Sequence, residues 1–198
     1  METQTTPGRR ERRKSATRAA LIEAAYELFA ADGFGATTMD DIAERADVSR
    51  RTAFRYFPTK EALIFPERDS RLTAFEQLLE PRPDESAFET VRRACLAMSD
   101  SYGGDRKRLM IQWSIIQSEP SLMGRELQLD RAYEQALERA FQRDEPNTAV
   151  GRRRAALFAG SILGMVRVVL RSWLEGGAQA DLAHLGREAF DLLSPFAV

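Results

Sequence analysis

The chain has 198 residues, enough for one domain of ordinary size or two small ones, with about 70% of the unfolded chain's surface buried at that length. With 43% apolar and 30% charged residues, and 11 Phe, 4 Tyr and 2 Trp, it is neither a low-hydrophobicity disordered sequence nor a membrane protein. Its 29 basic and 30 acidic side chains leave a net charge of −1, so any attraction to nucleic acid must come from local segregation of charge.

The opening METQTTPGRRERRK carries basic residues with no apolar stretch behind them, so it is not a secretory signal and the protein is expected in the cytoplasm. Residues 1–14 read as a disordered basic arm. Strand alternation is almost absent, whereas apolar residues recur at helical spacing nearly throughout, which predicts an all-α fold of about nine helices. The first helix, starting near Arg12, has Leu21, Ile22, Ala25, Leu28 and Phe29 on one stripe and stops at Gly33. Thr38 with Asp41 is a capping-box start for a two-turn helix with Met39, Ile42, Ala43 and Ala46 inward. A break at Asp47 and Val48 leads to Ser49, an N-cap, and a third helix ending before Pro58. Two short helices joined by a tight turn form a helix-turn-helix candidate, with a DNA-binding domain over 15–60 and a larger domain over 61–198.

Charges separate around this motif. Residues 9–18 hold Arg9, Arg10, Arg12, Arg13, Lys14 and Arg18 against Glu11 alone, and residues 45–60 hold Arg45, Arg50, Arg51, Arg55 and Lys60 against Asp47 alone. A bare basic cluster is more often a solvated face. Its coincidence with the short-helix, turn, short-helix pattern favours a DNA-facing surface instead.

The segment TTMDDIAERADVSRRTAFRYFPTKEAL, Thr37 to Leu63, resembles the DNA-binding segment of the tetracycline-repressor (TetR) family of bacterial regulators. The preceding LIEAAYELFAADGF is similar to that family's first helix, so the likeness covers about residues 12–65. The resemblance implies that the third helix enters the major groove, with Arg50, Arg51, Thr52 and Arg55 facing bases or adjacent phosphates. It also implies phosphate contacts at Thr38, Ser49 and Lys60, and a backbone contact at Tyr56. Two residues depart from the pattern. Asp47 stands where the family usually has a turn glycine, and Phe54 where a tyrosine is common; Phe54 retains the capacity to touch a thymine methyl. The wording FRYFPTKE is similar to an actinobacterial subgroup that includes mycofactocin-associated regulators.

Beyond Lys60 the pattern fades. Pro66 interrupts the fourth helix, and EPRPDE, Glu80 to Glu85, is a break before a second capping box, Ser86 with Glu89. Phe88, Val91, Cys95, Met98 and Tyr102 then follow at helical spacing up to Gly103 and Gly104. Leu109, Met110, Trp113 and Ile116 make the next stripe, stopped by Pro120, and Leu129, Tyr133, Ala136, Leu137, Ala140 and Phe141 another, stopped near Pro146. The last pair runs from about Val150 to Leu174 and from about Asp181 to Phe196, around Gly176 and Gly177. The apolar run Ala155 to Leu170 is short of the ~20 residues that span a bilayer, so no membrane partner is expected and the helix should be covered all round. Ala156, Gly160 and Gly164 present a smooth ridge on it, and Leu182, Leu185, Ala189, Leu192 and Phe196 a stripe on its neighbour. The family resemblance implies that these two helices pack against their twofold mates as a four-helix bundle, giving a homodimer; packing within one chain is the alternative. Arg152, Arg153 and Arg154 lie in a helical first turn, where the dipole disfavours cations and an acidic partner is expected.

A cavity is expected where the central helices converge, lined by Met98, Tyr102, Met110, Trp113, Tyr133, Phe158, Ile162 and Met165, although such residues at helical spacing also serve as plain core. Arg167, inside an apolar helix, is either a partner for a ligand anion or an ion-pair partner of a residue such as Glu188. The lone Cys95 excludes an internal disulfide and reads as a core hydrophobe, and the lone His184 reads as a surface residue. Together they leave no Cys/His zinc pattern and no nucleophile with a positioned histidine; with no Gly-rich phosphate loop either, neither metal, cofactor nor catalysis is expected. The sequence therefore reads as a homodimeric repressor that binds a near-palindromic double-stranded operator and is released by a small apolar or amphipathic effector. Control by a protein partner, or activation in place of repression, is the alternative.

Overall fold

The computed structural model describes residues 8–102 and 106–193, and their side chains except those of 101, 123 and 125–129. Residues 1–7 of the expected arm, Gly103, Gly104, Phe196 and the side chain of Leu129 lie outside that description. Among the described residues the chain is helical without strands, with ten α-helices: α1 (Arg9–Asp32), α2 (Met39–Arg45), α3 (Arg50–Tyr56), α4 (Glu61–Ile64), α5 (Arg68–Leu78), α6 (Ala87–Tyr102), α7 (Arg106–Ser118), α8 (Pro120–Gln142), α9 (Ala149–Glu175) and α10 (Leu182–Leu193). The count exceeds nine because Pro66, which has no N–H and holds Phe65 out of helical geometry, divides the expected fourth helix into α4 and α5. Pro120 opens α8 at its first position, where a missing N–H costs nothing, so the stripe expected from Leu129 begins a further two turns back.

Two compact units result, one holding residues up to 66 with 114–119, the other holding 67–113 and 120 onward. In the first, α1 starts at Arg9 after the extended Gly8, earlier than Arg12, so residues 9–14 are helical and not a disordered arm. Arginines favour helix, and Glu11 sits in the first turn where the dipole welcomes an acid. Leu21 and Ala25 of α1, Ile42 of α2, Ala53 of α3 and Leu63 of α4 are fully buried together with Ile64. The capping box at α2 is complete: the Thr38 N–H donates to Asp41 Oδ2 at 2.8 Å and the Asp41 N–H to Thr38 Oγ1 at 3.2 Å. Asp47 makes the turn into α3 at φ 52°, a left-handed conformation that Asp tolerates better than most side chains. The unit extends past residue 60 because α4 is tied to α1: Tyr26 Oη donates to the Ile64 carbonyl at 3.1 Å, and the Arg18 guanidinium, over the Phe57 ring, donates to the Pro66 carbonyl.

The core of the second unit joins Phe75 of α5, Val91 and Ala94 of α6, Ala136 and Leu137 of α8, Ala155 and Ile162 of α9 and Phe190 of α10. Small residues bring α8 and α9 together. A Cβ on Gly151 would stand 2.1 Å from the Pro146 carbonyl oxygen, so only glycine fits there. Arg154 pairs with Glu145 at 3.0 Å and Arg152 donates to Asn147 Oδ1 at 2.9 Å, which gives the basic first turn of α9 the partners it needs.

By length and composition α9 is able to cross a membrane, yet one of its faces packs on α8 and α10. It is not covered all round as expected. Leu157 is 65% exposed, Val150 and Val168 are exposed beside it, and Leu192 of α10 is 75% exposed, so a single chain leaves an apolar face open.

The EPRPDE break is held by a polar cluster. Arg93 donates two hydrogen bonds of 2.8 Å to the Glu85 carboxylate and others to the Leu78 and Glu80 carbonyls, and the fully buried Thr90 adds its hydroxyl to Glu85 at 3.0 Å. These donors, Arg93 foremost, hold the Glu85 carboxyl down at about 2. A carboxyl depressed in the folded state stabilises it above the unfolded-state pKa of about 4.5, and that contribution is lost as pH falls from there to about 2. Urea titrations between pH 6 and 2.5 are expected to show a shallower acid decline for Glu85→Gln than for the unaltered protein; parallel curves would mean that the cluster does not set acid stability.

Candidate functional site

The outward side of α3 carries Arg50, Arg51, Phe54 and Arg55, because Ala53 and the following Phe57 fill the inward positions. Ser49 Oγ accepts the Thr52 N–H at 3.2 Å and shares a 2.9 Å hydrogen bond with the Thr52 hydroxyl, which fixes the helix start. Arg50 is engaged on two sides: its Nε lies 3.1 Å from Asp40 Oδ1 of α2, and its guanidinium lies 5.5 Å from the centre of the Phe54 ring. Phe54 is 39% exposed. Arg55 stacks on Tyr56 at 5.4 Å, and Arg45 is paired with Glu27 at 2.6 Å. Arg51 is exposed and makes no hydrogen bond, ion pair or ring contact among the described residues. Of the basic cluster at 45–60, then, Arg51 and Arg55 are the cations with neither a carboxylate nor a carbonyl partner among the described residues.

Lys60 is placed differently from a solvent-facing phosphate ligand. Its ammonium donates to the carbonyls of Phe34 at 2.7 Å, Thr37 at 3.0 Å and Gly35 at 3.3 Å, and lies 4.5 Å from the centre of the Phe34 ring. These carbonyls belong to the segment between α1 and α2, so Lys60 pins the entry to the helix-turn-helix. Lys60→Ala is expected to destabilise the first unit by about 1.5–3 kcal/mol, the range for charged hydrogen bonds. Thermal unfolding of the variant checks this, and an unchanged melting temperature would return Lys60 to a phosphate-contact role alone. Asp40 was not anticipated as a partner of Arg50, since a contact across the α2–α3 turn leaves no periodic trace.

In the second unit, α5, α6, α8, α9 and α10 line a half-open cavity of about 160 Å³. Of the residues expected at such a site, Met98, Tyr102, Tyr133, Met165 and Arg167 line it. The other four lie elsewhere: Phe158 packs on Phe141 at 5.4 Å, Ile162 is buried in the main core, Met110 packs with Trp173 and Leu182, and the half-buried Trp113 is not among the lining residues. Additional lining comes from Phe75, Leu96, Asp130, Val166 and Phe190. Arg167 pairs with Asp130 and not with Glu188, whose carboxylate lies 3.4 Å from His184. The Asp130 pair joins α8 to α9 at the cavity wall. Cys95 also lines the cavity, and burial pushes its thiol up to about 12, which leaves it an inert hydrophobe at neutral pH.

Comparison with known proteins identifies the family. Residues 21–65 match the tetR family of bacterial regulatory proteins. The HTH-type transcriptional regulator TcmR of Streptomyces glaucescens is 30% identical over 199 residues, covering 96% of this chain and 88% of TcmR. MftR of Mycobacterium tuberculosis, named for regulation of mycofactocin biosynthesis, is 34% identical over 91 residues, 46% of each chain. The fold is similar to that of SmeT, described as the repressor of the Stenotrophomonas maltophilia multidrug efflux pump SmeDEF, in its complex with triclosan, with a TM-score of 0.69 at 19% identity over 91% of each chain. With a helix-turn-helix in its first unit, a larger helical second unit and near full-length likeness to TcmR, the chain belongs to the tetR family and is a transcriptional regulator, not an enzyme.

Proposed function

We propose that this regulator is a homodimeric repressor that acts in the cytoplasm on a near-palindromic operator and is released by a small apolar or amphipathic effector. The observation that carries this reading is the outward face of α3, where the unpaired Arg51 and the stacked Arg55 flank an exposed aromatic ring. In this reading Arg51 and Arg55 reach base edges and adjacent phosphates in the major groove, Phe54 meets an apolar base edge, and Arg50, Thr52 and Tyr56 help to position the helix. Thr38 and Ser49, already serving as caps, add backbone contacts. Lys60 would have to release a carbonyl to reach a phosphate.

The effector occupies the cavity of the second unit, where an apolar wall is broken by few polar groups, as is usual for small-molecule sites. SmeT bound to triclosan offers a precedent for a small organic ligand on this fold. Selection from random duplexes, followed by footprinting, is expected to return a site with dyad symmetry. Paired titrations then test induction: a ligand that weakens operator binding tenfold must itself bind tenfold more weakly to the operator complex, a coupling of about 1.4 kcal/mol. A cavity ligand with equal affinity for free and DNA-bound protein would remove the induction mechanism.

A further inference from the structure

The start of α1 carries charge that nothing else in the chain uses. Resting on the operator reading above, we infer that residues 9–18 form a second DNA contact, a preformed cationic helix that lies on the phosphates flanking each half-site, outside the base pairs read by α3.

Residues 9–18 hold six cations against Glu11 alone, residues 9–16 are all exposed, and Leu21 is the first buried residue of the helix. The side chains of Arg9, Arg10, Arg12, Arg13 and Lys14 make no hydrogen bond, ion pair or ring contact among the described residues. Cations in a first turn oppose the helix dipole. Arg9 with Arg13, Arg10 with Lys14, and Lys14 with Arg18 are in addition like charges four residues apart, which repel along a helix. The basic first turn of α9 offsets the same penalty with Glu145 and Asn147, whereas that of α1 has no such partner among the described residues. An anionic surface outside the chain supplies it.

Placement selects duplex DNA as that surface. Arg10, Lys14 and Arg18 form one row about 12 Å long, at 1.5 Å of helix per residue. Its inner end is fixed, because the Arg18 guanidinium lies 5.3 Å from the centre of the Phe57 ring and donates to the Pro66 carbonyl. Phe57 directly follows α3, whose last turn carries Arg55 stacked on Tyr56. The row therefore begins beside the end of the DNA-reading helix and continues outward past the packed part of the unit. An acidic protein partner would need no such continuity with α3.

Contacts of this kind add affinity and length to the site without base preference, since phosphates carry no sequence information. Because the segment is already helical, it settles on DNA without the ordering cost that a flexible arm meets.

The test uses the full chain with the selected dyad duplex, cut at the outermost base pair that shows sequence preference. The same duplex is then extended on each side by about five base pairs, enough for the row at ~3.4 Å per base pair, in two unrelated sequences. Both extensions are expected to raise affinity about tenfold, and equally. Combining Arg9→Gln, Arg10→Gln, Arg13→Gln and Lys14→Gln should abolish that gain and leave the base preference of the core intact, with helix content kept because Gln is a good helix former. With two phosphates neutralised per chain, the same variant flattens the plot of log affinity against log salt by about 3.6 for a dimer. Ser15→Pro keeps every charge but breaks the helical hydrogen bond to Glu11, and should retain only about a third of the gain. No gain from either extension, a gain that the Gln variant keeps, or a gain that depends on the flanking sequence would overturn the inference and leave α3 as the DNA contact. A Ser15→Pro variant with the full gain would overturn the preformed helix. Failure of the unaltered protein to select any dyad duplex would overturn the operator reading as well.

Discussion

Arg51→Ala is expected to weaken binding to the selected operator by about 1–3 kcal/mol per half-site and to relax base preference at one position. Both half-sites of a dyad operator lose the contact, so the combined effect is the square of the single loss. The expectation follows from which cations are already used. Arg45 is spent on Glu27, Arg50 on Asp40 and Phe54, and Lys60 on three carbonyls, whereas Arg51 has no partner to leave among the described residues. Arg55→Ala should lower affinity as well. If Arg55 meets a phosphate, that loss is uniform across sequences and the salt dependence becomes shallower. Arg45→Ala, as control, should leave affinity nearly unchanged. Affinities measured at several salt concentrations check the set, and intact binding in both Arg51→Ala and Arg55→Ala would move the DNA contact away from α3.

Leu157→Glu is expected to turn the protein into a monomer in sedimentation and to weaken operator binding by the avidity of two linked heads, about 10²- to 10⁴-fold. Leu157 is 65% exposed in a single chain, so an added carboxylate costs the isolated fold little. In a twofold contact between the open faces of α9 and α10 the same carboxylate is buried without a partner, which costs about 2–5 kcal/mol. Gly164→Leu separates the two settings further. A Cβ at Gly164 meets nothing within 4 Å in the chain, so loss of dimer in a Gly164→Leu variant that keeps its helical content points to overpacking against a second chain, at about 1–3 kcal/mol. A tight dimer in both variants would place the interface on another surface.

The helix-turn-helix was legible in the sequence because its signals are local. Both capping boxes, Thr38 with Asp41 and Ser86 with Glu89, join residues three apart, and the turn at Asp47 depends on one residue's backbone freedom. The all-α class follows in the same way, since a 3.6-residue apolar period is a property of each segment taken alone. The helical start at Arg9 was missed because exposed arginines leave no apolar period to read, although they are good helix formers.

The tertiary structure decided the partners. Arg167 meets Asp130, 37 residues earlier, and Lys60 reaches carbonyls 23 to 26 residues back, contacts that no spacing rule connects. It decided also that Phe158 and Ile162 fill core while Met165 and Arg167 line a cavity, because rotation of α9 between α8 and α10 selects which side of its apolar middle, Ala155 to Val166, each residue occupies. Along a stretch where apolar residues occupy nearly every position, periodicity carries no information about direction, and only the neighbouring helices determine which faces are core, cavity or open surface.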